Sequence, residues 1–433
     1  MSCNKSPTEL LKNTLVVKDG DTYIIFNPFS NRITRVNQYP IANGRLYGEL
    51  EKCGFFGNVP ETTLPDTEWR GFNSLTLLTT RRCNLACLYC YANATPSGED
   101  MPLELAMDSV KWFLSQLKHG NIRITFHGGG EPTLTRNLIR SVVEYTEANH
   151  NDKKRTYIIT TNGTTSTDFW DWMMKYHFGI SVSIDGTPDI QNRNRPFVNG
   201  GGSSEAVERG VGYLVSHGYP FSVRLTYSPA DNIEEIIKYL GGLGVKKIHL
   251  EPLFPHGRFY KITEFGKESS YQIYSPKGKE LLEKFLKAMD IARPLGIKIL
   301  NGHLLNFTRG AGYFCGAASA RAMTVTHDGF LTGCLEVVDQ KDKDFNTFLL
   351  GKYAPEKHGF EIYQERIKMM RERHADTLPQ CKTCYARYHC AGGCLVKAVR
   401  ASGKFLNVDG PYCSFTKALI PILVQRIAKE SNV

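Results

Sequence analysis

Three cysteines carry the first chemical signal. In Arg82-Cys-Asn-Leu-Ala-Cys-Leu-Tyr-Cys-Tyr91, Cys83, Cys87 and Cys90 follow a C-x3-C-x2-C spacing. Three thiolates on a four-iron cluster leave one iron open to a chelating ligand. The competing reading is zinc, but three ligands with no fourth nearby make a poor structural zinc site.

This loop resembles that of the radical S-adenosylmethionine (SAM) superfamily. The resemblance implies that Cys83, Cys87 and Cys90 hold one [4Fe-4S] cluster whose open iron binds the amino and carboxylate groups of SAM. It also implies that Tyr89 sits beside the adenine. In His127-Gly-Gly-Gly-Glu-Pro132, absent side chains let backbone approach a ligand closely, although a glycine run alone is only a turn. Its place one βα unit after the cysteines is similar to the family's GGE motif, which implies methionine contacts for Gly128, Gly129, Gly130 and Glu131. Asn162 ends the third strand, where Asn-Gly suits either a hairpin or a βα loop; Ser166-Thr167-Asp168, opening a helix, favours the loop. Ser183 and Asp185 end the fourth strand, and similar polar tips in the family touch ribose or the methionine carboxylate. Arg195 and Arg224 each suit a bidentate carboxylate fork, and for each an ordinary salt bridge is the equal alternative. Leu253 would pack on adenine if the barrel closes as in the family; otherwise it is a core leucine.

A second array runs through Cys315, Cys334, Cys381-x2-Cys384-x5-Cys390-x3-Cys394 and Cys413. It is similar to the SPASM domain, which carries two auxiliary [4Fe-4S] clusters. The resemblance assigns Cys381, Cys384, Cys390 and Cys413 to one cluster, and Cys315, Cys334 and Cys394 to the other. Arg321 stands where sulfatase-maturating relatives have an eighth cysteine, so the second assignment leaves an open iron. A zinc ribbon over Cys381–Cys394 is the alternative. Cys3 and Cys53 fit neither array and read as ordinary thiols.

These residues need a scaffold. The expected fold class is α/β, with a partial (β/α)6 TIM-like barrel over residues 71–310, a small N-terminal α+β element over 1–70 and a C-terminal SPASM domain over 311–433. Apolar and β-branched runs mark six strands, at 75–80, 122–127, 156–161, 180–184, 221–227 and 247–253. Amphipathic helices fall between them, and barrel chemistry sits at the C-terminal strand ends. Before the barrel, strands at 14–18 and 22–27 joined by Asp19-Gly20-Asp21, and a helix near 42–52, read as a separate element. The turn-rich C-terminal region is expected to take its order from metal rather than from a large core.

Composition limits the function. The chain has 433 residues and net charge +10, but its basic residues are scattered among acids, which argues against a nucleic-acid partner. No signal peptide or membrane span is readable, so the expected location is the cytoplasm, where twelve cysteines point to metal rather than disulfides. The resemblance implies a SAM-cleaving oxidoreductase that matures a ribosomally made peptide by hydrogen abstraction, served by a low-potential donor such as flavodoxin or ferredoxin. The N-terminal element would then capture a leader peptide by strand addition. The enzyme alternative is a sulfatase maturase forming formylglycine, which the resemblance disfavours because Leu335 rather than an Asp directly follows Cys334 and the nearest acid is Glu336; the non-enzyme alternative is an iron–sulfur electron carrier or a zinc-bound peptide-binding protein.

Overall fold

The computed structural model describes residues 14–37, 39, 44–56, 68–117, 120–150, 152–228, 230–253, 276–301, 311–408 and 410–431. The chain opens with an antiparallel sheet of β1 (Leu15–Asp19), β2 (Thr22–Asn27) and β3 (Arg32–Val36), in that order. Gly20, at φ +62, makes the β1–β2 turn, a left-handed conformation that glycine adopts without Cβ strain. The third strand was not foreseen, because Arg32 and Arg35 break its apolar pattern; Arg35 pairs with Asp19 at 2.7 Å. A helix, Gly44–Lys52, follows.

This element is not separate. Leu15, Ile24 and Phe26 pack against Ala386, Cys390, Ile420, Val424 and Ala428, so one sheet face rests on the C-terminal cysteine region and the helix Gly410–Glu430. The other face buries Ile25 and Val36 with Leu50 and Phe55. Three short strands cannot exclude enough water alone, and docking supplies the missing cover.

All six expected barrel strands form within two residues of their expected limits: β4 (Ser74–Leu78), β5 (Ile122–His127), β6 (Arg155–Thr161), β7 (Gly179–Ser183), β8 (Phe221–Tyr227) and β9 (Lys247–Pro252). They pair in parallel in chain order, and β10 (Lys298–Leu300) extends the edge. Helices such as Leu103–Gln116, Arg136–Asn149 and Ser204–Ser216 separate them. The fold is therefore the α/β partial barrel that the pattern predicted.

The sheet does not stop at the expected boundary near residue 311. β11 (Ala322–Val325) pairs in parallel with β4, and β12 (Phe330–Thr332), β13 (Leu349–Ala354) and β14 (Gly359–Ile362) continue it antiparallel to eleven strands. Met323, Leu331, Phe348, Leu350, Met370 and Leu419 share one buried cluster with the barrel. The expected lack of a large core is corrected here: this region has apolar packing of its own, continuous with the barrel. Among the described residues no helix is long and apolar enough to cross a membrane.

Candidate active site and cysteine arrays

The cysteine loop leaves the tip of β4 and is held on both sides. The Arg82 guanidinium donates to both oxygens of Asp100, at 2.8 and 2.6 Å. Ala86 N–H donates to Pro196 O and Leu88 N–H to Asn194 O. Leu85 is buried and anchors the loop, while Cys83, Cys87 and Cys90 are half-buried. Burial pushes the Cys83 thiol up to about 12, with Glu131 and then the other two cysteines adding to it. Burial likewise carries Cys87 to about 11, against the opposing pull of Arg195. Without metal these thiols stay protonated, and a cluster must displace those protons to bind.

The glycine run packs first against the cysteine loop. A Cβ on Gly130 would lie 1.8 Å from Arg82 O, and one on Gly128 1.9 Å from Gly130 O. Gly130 N–H donates to Thr80 O and Glu131 N–H to Arg82 O. Glu131 turns inward: Oε1 accepts from Thr133 N, Thr133 Oγ1 and Thr161 Oγ1, and Oε2 from Asn162 N at 2.6 Å. Its carboxyl ties the β5 and β6 tips together. Asn162 continues the tie, since its Nδ2 donates to Asn84 Oδ1 in the cysteine loop at 2.7 Å.

The two candidate arginines separate clearly. Arg195 is in a buried pair with Asp185 at 3.1 Å, lies 5.2 Å from the Tyr89 ring centre, and Tyr89 donates its hydroxyl to Asp185. Asp185 is fully buried, so this trio is a closed internal network beside Cys87. Arg224 is exposed and, among the described residues, has no ion pair or side-chain hydrogen bond. It pairs in register with Ser183 and acts on Tyr91 and His127. Leu253 is half-buried, its N–H donating to Tyr227 O.

Two residues here take on an importance that the sequence did not give them. His127 is pushed down to about 4, by burial first and then by Arg224, so it stays neutral; its Nδ1 donates to Gly128 O at 3.0 Å. Glu336 is the charge that acts most on Cys334 and Cys394, and it also acts on Tyr91 and His127. In the sequence it is only the nearest acid after Cys334; its importance comes from the packing of Val338 against Cys90 and Tyr91, which lays this segment over the barrel mouth.

The later cysteines form two groups. Cys381, Cys384, Cys390 and Cys413 line one pocket with Gly392, Gly393 and Tyr412, and the other three act on Cys390. Cys315, Cys334 and Cys394 act on one another. Tetrahedral zinc, with Zn–S of about 2.3 Å, would bring sulfurs to about 3.8 Å. Among the described residues no three cysteine sulfurs lie within 4.8 Å of one another; the trio that does so is Glu104, Asp108 and His358, where Asp108 is bonded to Tyr353 and His358. All-thiolate sets of this kind are ligands for iron–sulfur clusters and for zinc alike. Cys53 is an exposed free thiol, and Cys3 lies outside the described residues.

Comparison with known proteins supplies relatives. The sequence model described as the radical SAM superfamily matches residues 77–241. An uncharacterised protein of Methanocaldococcus jannaschii is 33% identical over 205 residues, 46% of this chain and 70% of that protein. A serine-type anaerobic sulfatase-maturating enzyme of Klebsiella aerogenes is 24% identical over 355 residues, 78% of this chain and 83% of the relative. Among solved structures, anSMEcpe with bound AdoMet and a Cp18Cys peptide superposes with TM-score 0.65 at 23% identity, covering 84% of this chain and all of that one. Streptococcus suis SuiB bound to precursor peptide SuiA superposes with TM-score 0.52 at 15% identity, covering 92% and 98%. At these identities the superpositions establish the fold alone.

Proposed function

Because the chain belongs to the radical SAM superfamily, we propose that it modifies a ribosomally made peptide, with Cys83, Cys87 and Cys90 holding the SAM-binding [4Fe-4S] cluster. When bound and reduced, that cluster and SAM would supply a 5'-deoxyadenosyl radical able to take hydrogen from an unactivated carbon. Arg224, the unpaired cation at the mouth, binds the methionine carboxylate; Arg195 and Asp185 position Tyr89 and the cysteine loop. Glu131 and Asn162 hold the loops in register. The carrying observation is the segment Cys334–Asp339. Val338 covers Cys90 and Tyr91 while Cys334 joins the auxiliary trio, so a substrate at the mouth lies between two cluster sites.

Cys381, Cys384, Cys390 and Cys413 would hold one auxiliary cluster, and Cys315, Cys334 and Cys394 the other. The expected domain limits, 1–70, 71–310 and 311–433, then mark function rather than folding units. The outer strands of the N-terminal sheet, β1 and β3, support leader-peptide capture by strand addition, and SuiB, a structural neighbour, is seen with a precursor peptide. A small low-potential protein would deliver the electron. After anaerobic reconstitution, about twelve irons per chain are expected. Replacing Cys83, Cys87 and Cys90 by Ala should abolish 5'-deoxyadenosine while auxiliary iron remains; stoichiometric zinc with little iron would refute the reading.

Glu336 favours one second reading, a sulfatase maturase. Formylglycine formation needs a base for the hydroxyl or thiol proton, and although Leu335 directly follows Cys334, Glu336 is the carboxylate that acts on Tyr91, His127 and Cys334. Mass spectrometry of Ser- and Cys-containing sulfatase peptides after turnover separates the readings: formylglycine supports the second, and a crosslink in a co-expressed precursor supports the first.

A further inference from the structure

Arg373 follows the helix Gln364–Glu372 and is only 1% exposed. Its guanidinium donates to Phe405 O at 3.1 Å, Gly392 O at 2.8 Å, Asn407 O at 2.9 Å and Gly393 O at 3.4 Å. Every partner is a neutral carbonyl, and among the described residues Arg373 makes no ion pair. A buried cation satisfied only by carbonyls is costly unless an anion lies close.

The groups of opposite tendency around it are thiols. Cys394, Cys381, Cys390 and Cys315 all act on Arg373, and they come from both cysteine groups. The local backbone serves this arrangement. Ala391, Gly392 and Gly393 are all left-handed, at φ 49, 79 and 71, which turns the 392 and 393 carbonyls onto the guanidinium. A Cβ on Gly392 would stand 2.3 Å from Leu378 Cδ1 and 3.6 Å from Arg373 Nη1. The loop between Cys390 and Cys394, ligands of different groups, is thus wrapped on one cation.

We infer that Arg373 is the shared counter-cation of both auxiliary clusters, a positioning residue that raises their reduction potentials together. The inference rests on the two-cluster reading above. Thiolate-ligated clusters are anionic, and adding an electron to one is easier beside a fixed cation in a water-poor setting. Raised potentials suit clusters that accept an electron from a substrate radical.

The test uses full-length protein, reconstituted anaerobically, as wild type, R373Q and R373K, with iron analysis and potentiometric titration followed by electron paramagnetic resonance. R373K should keep all iron and both auxiliary potentials near wild type. R373Q should keep the triplet's cluster unchanged, and should either lose the iron of both auxiliary groups together or titrate both at lower potential. The expected shift is about tenfold in the reduced-to-oxidised ratio, ~59 mV for one electron. Unchanged potentials in fully loaded R373Q, a change confined to one group, or equal losses in R373K would each overturn the inference. Wild type carrying only about four irons per chain would instead remove the two-cluster reading itself.

Discussion

Arg400 and Glu336, 64 residues apart in the chain, are joined at 3.1 Å. Arg400 also pairs with Asp344 at 2.7 Å and Asp342 at 3.2 Å. It lies on the helix that starts just after Cys394, and Glu336 lies two residues after Cys334. One guanidinium therefore ties two members of the cysteine trio and holds the segment that covers the barrel mouth.

Removing that tie should be costly. Arg400→Gln leaves three partly buried carboxylates facing one another, and a loss of roughly 2–4 kcal/mol is expected, short of the full penalty for a deeply buried pair. Urea denaturation of the variant checks this. A loss below about 0.5 kcal/mol would mean that the segment is held by Val338 packing alone.

The two arginines at the mouth should fail differently. If Arg224 holds the methionine carboxylate as proposed, Arg224→Ala removes a charged contact worth about 1.5–3 kcal/mol, so SAM binding should weaken roughly ten- to hundredfold with thermal stability unchanged. Arg195→Ala strands Asp185, and roughly 3–5 kcal/mol of stability should go with it. Calorimetric SAM titration and thermal melts distinguish them; identical behaviour would contradict the division of roles.

His127 predicts an acid sensitivity. Its ordinary value of 6.5 falls to about 4 in the fold, so below 6.5 the unfolded chain takes up the proton first. Stability is intact above that point and declines as pH falls toward 4, by about 2 kcal/mol between pH 7 and pH 5. The effect should be read in the full-length chain without metal, and His127→Gln should flatten it. An unchanged slope in the variant would assign the acid sensitivity elsewhere.

The N-terminal sheet makes a contrast between neighbours. Phe26 packs toward Cys390 and Ile25 toward Leu50. Phe26→Ala should cost roughly 3–5 kcal/mol and loosen the cover over the Cys381–Cys413 group, seen as faster iron loss in air. Ile25→Ala should destabilise the N-terminal element while iron retention stays at wild type. Equal iron loss in both would show that the sheet acts as one unit. Deleting residues 1–60 therefore tests peptide capture and cluster shielding together, and only these point variants separate them.

Sequence alone determined the barrel strands and picked out the cysteine triplet and the later cysteine array, whose division into two groups came from the family resemblance. β5 and β8 were readable to the residue because apolar, buried positions alternate along them with more exposed polar ones such as Arg123 and Arg224, and ligand spacing is a local property. Tertiary structure decided what depends on distant partners. Which arginine stays free is set by Asp185, ten residues before Arg195 but buried beneath it. Glu336 and Arg373 carry no motif: β11 joins β4 and Val338 packs on Cys90 and Tyr91, which brings the Glu336 segment to the mouth, and Arg373 is enclosed by the carbonyls of Gly392, Gly393, Phe405 and Asn407. The docking of the N-terminal sheet was equally invisible, since an apolar face states that it must be covered but not by what.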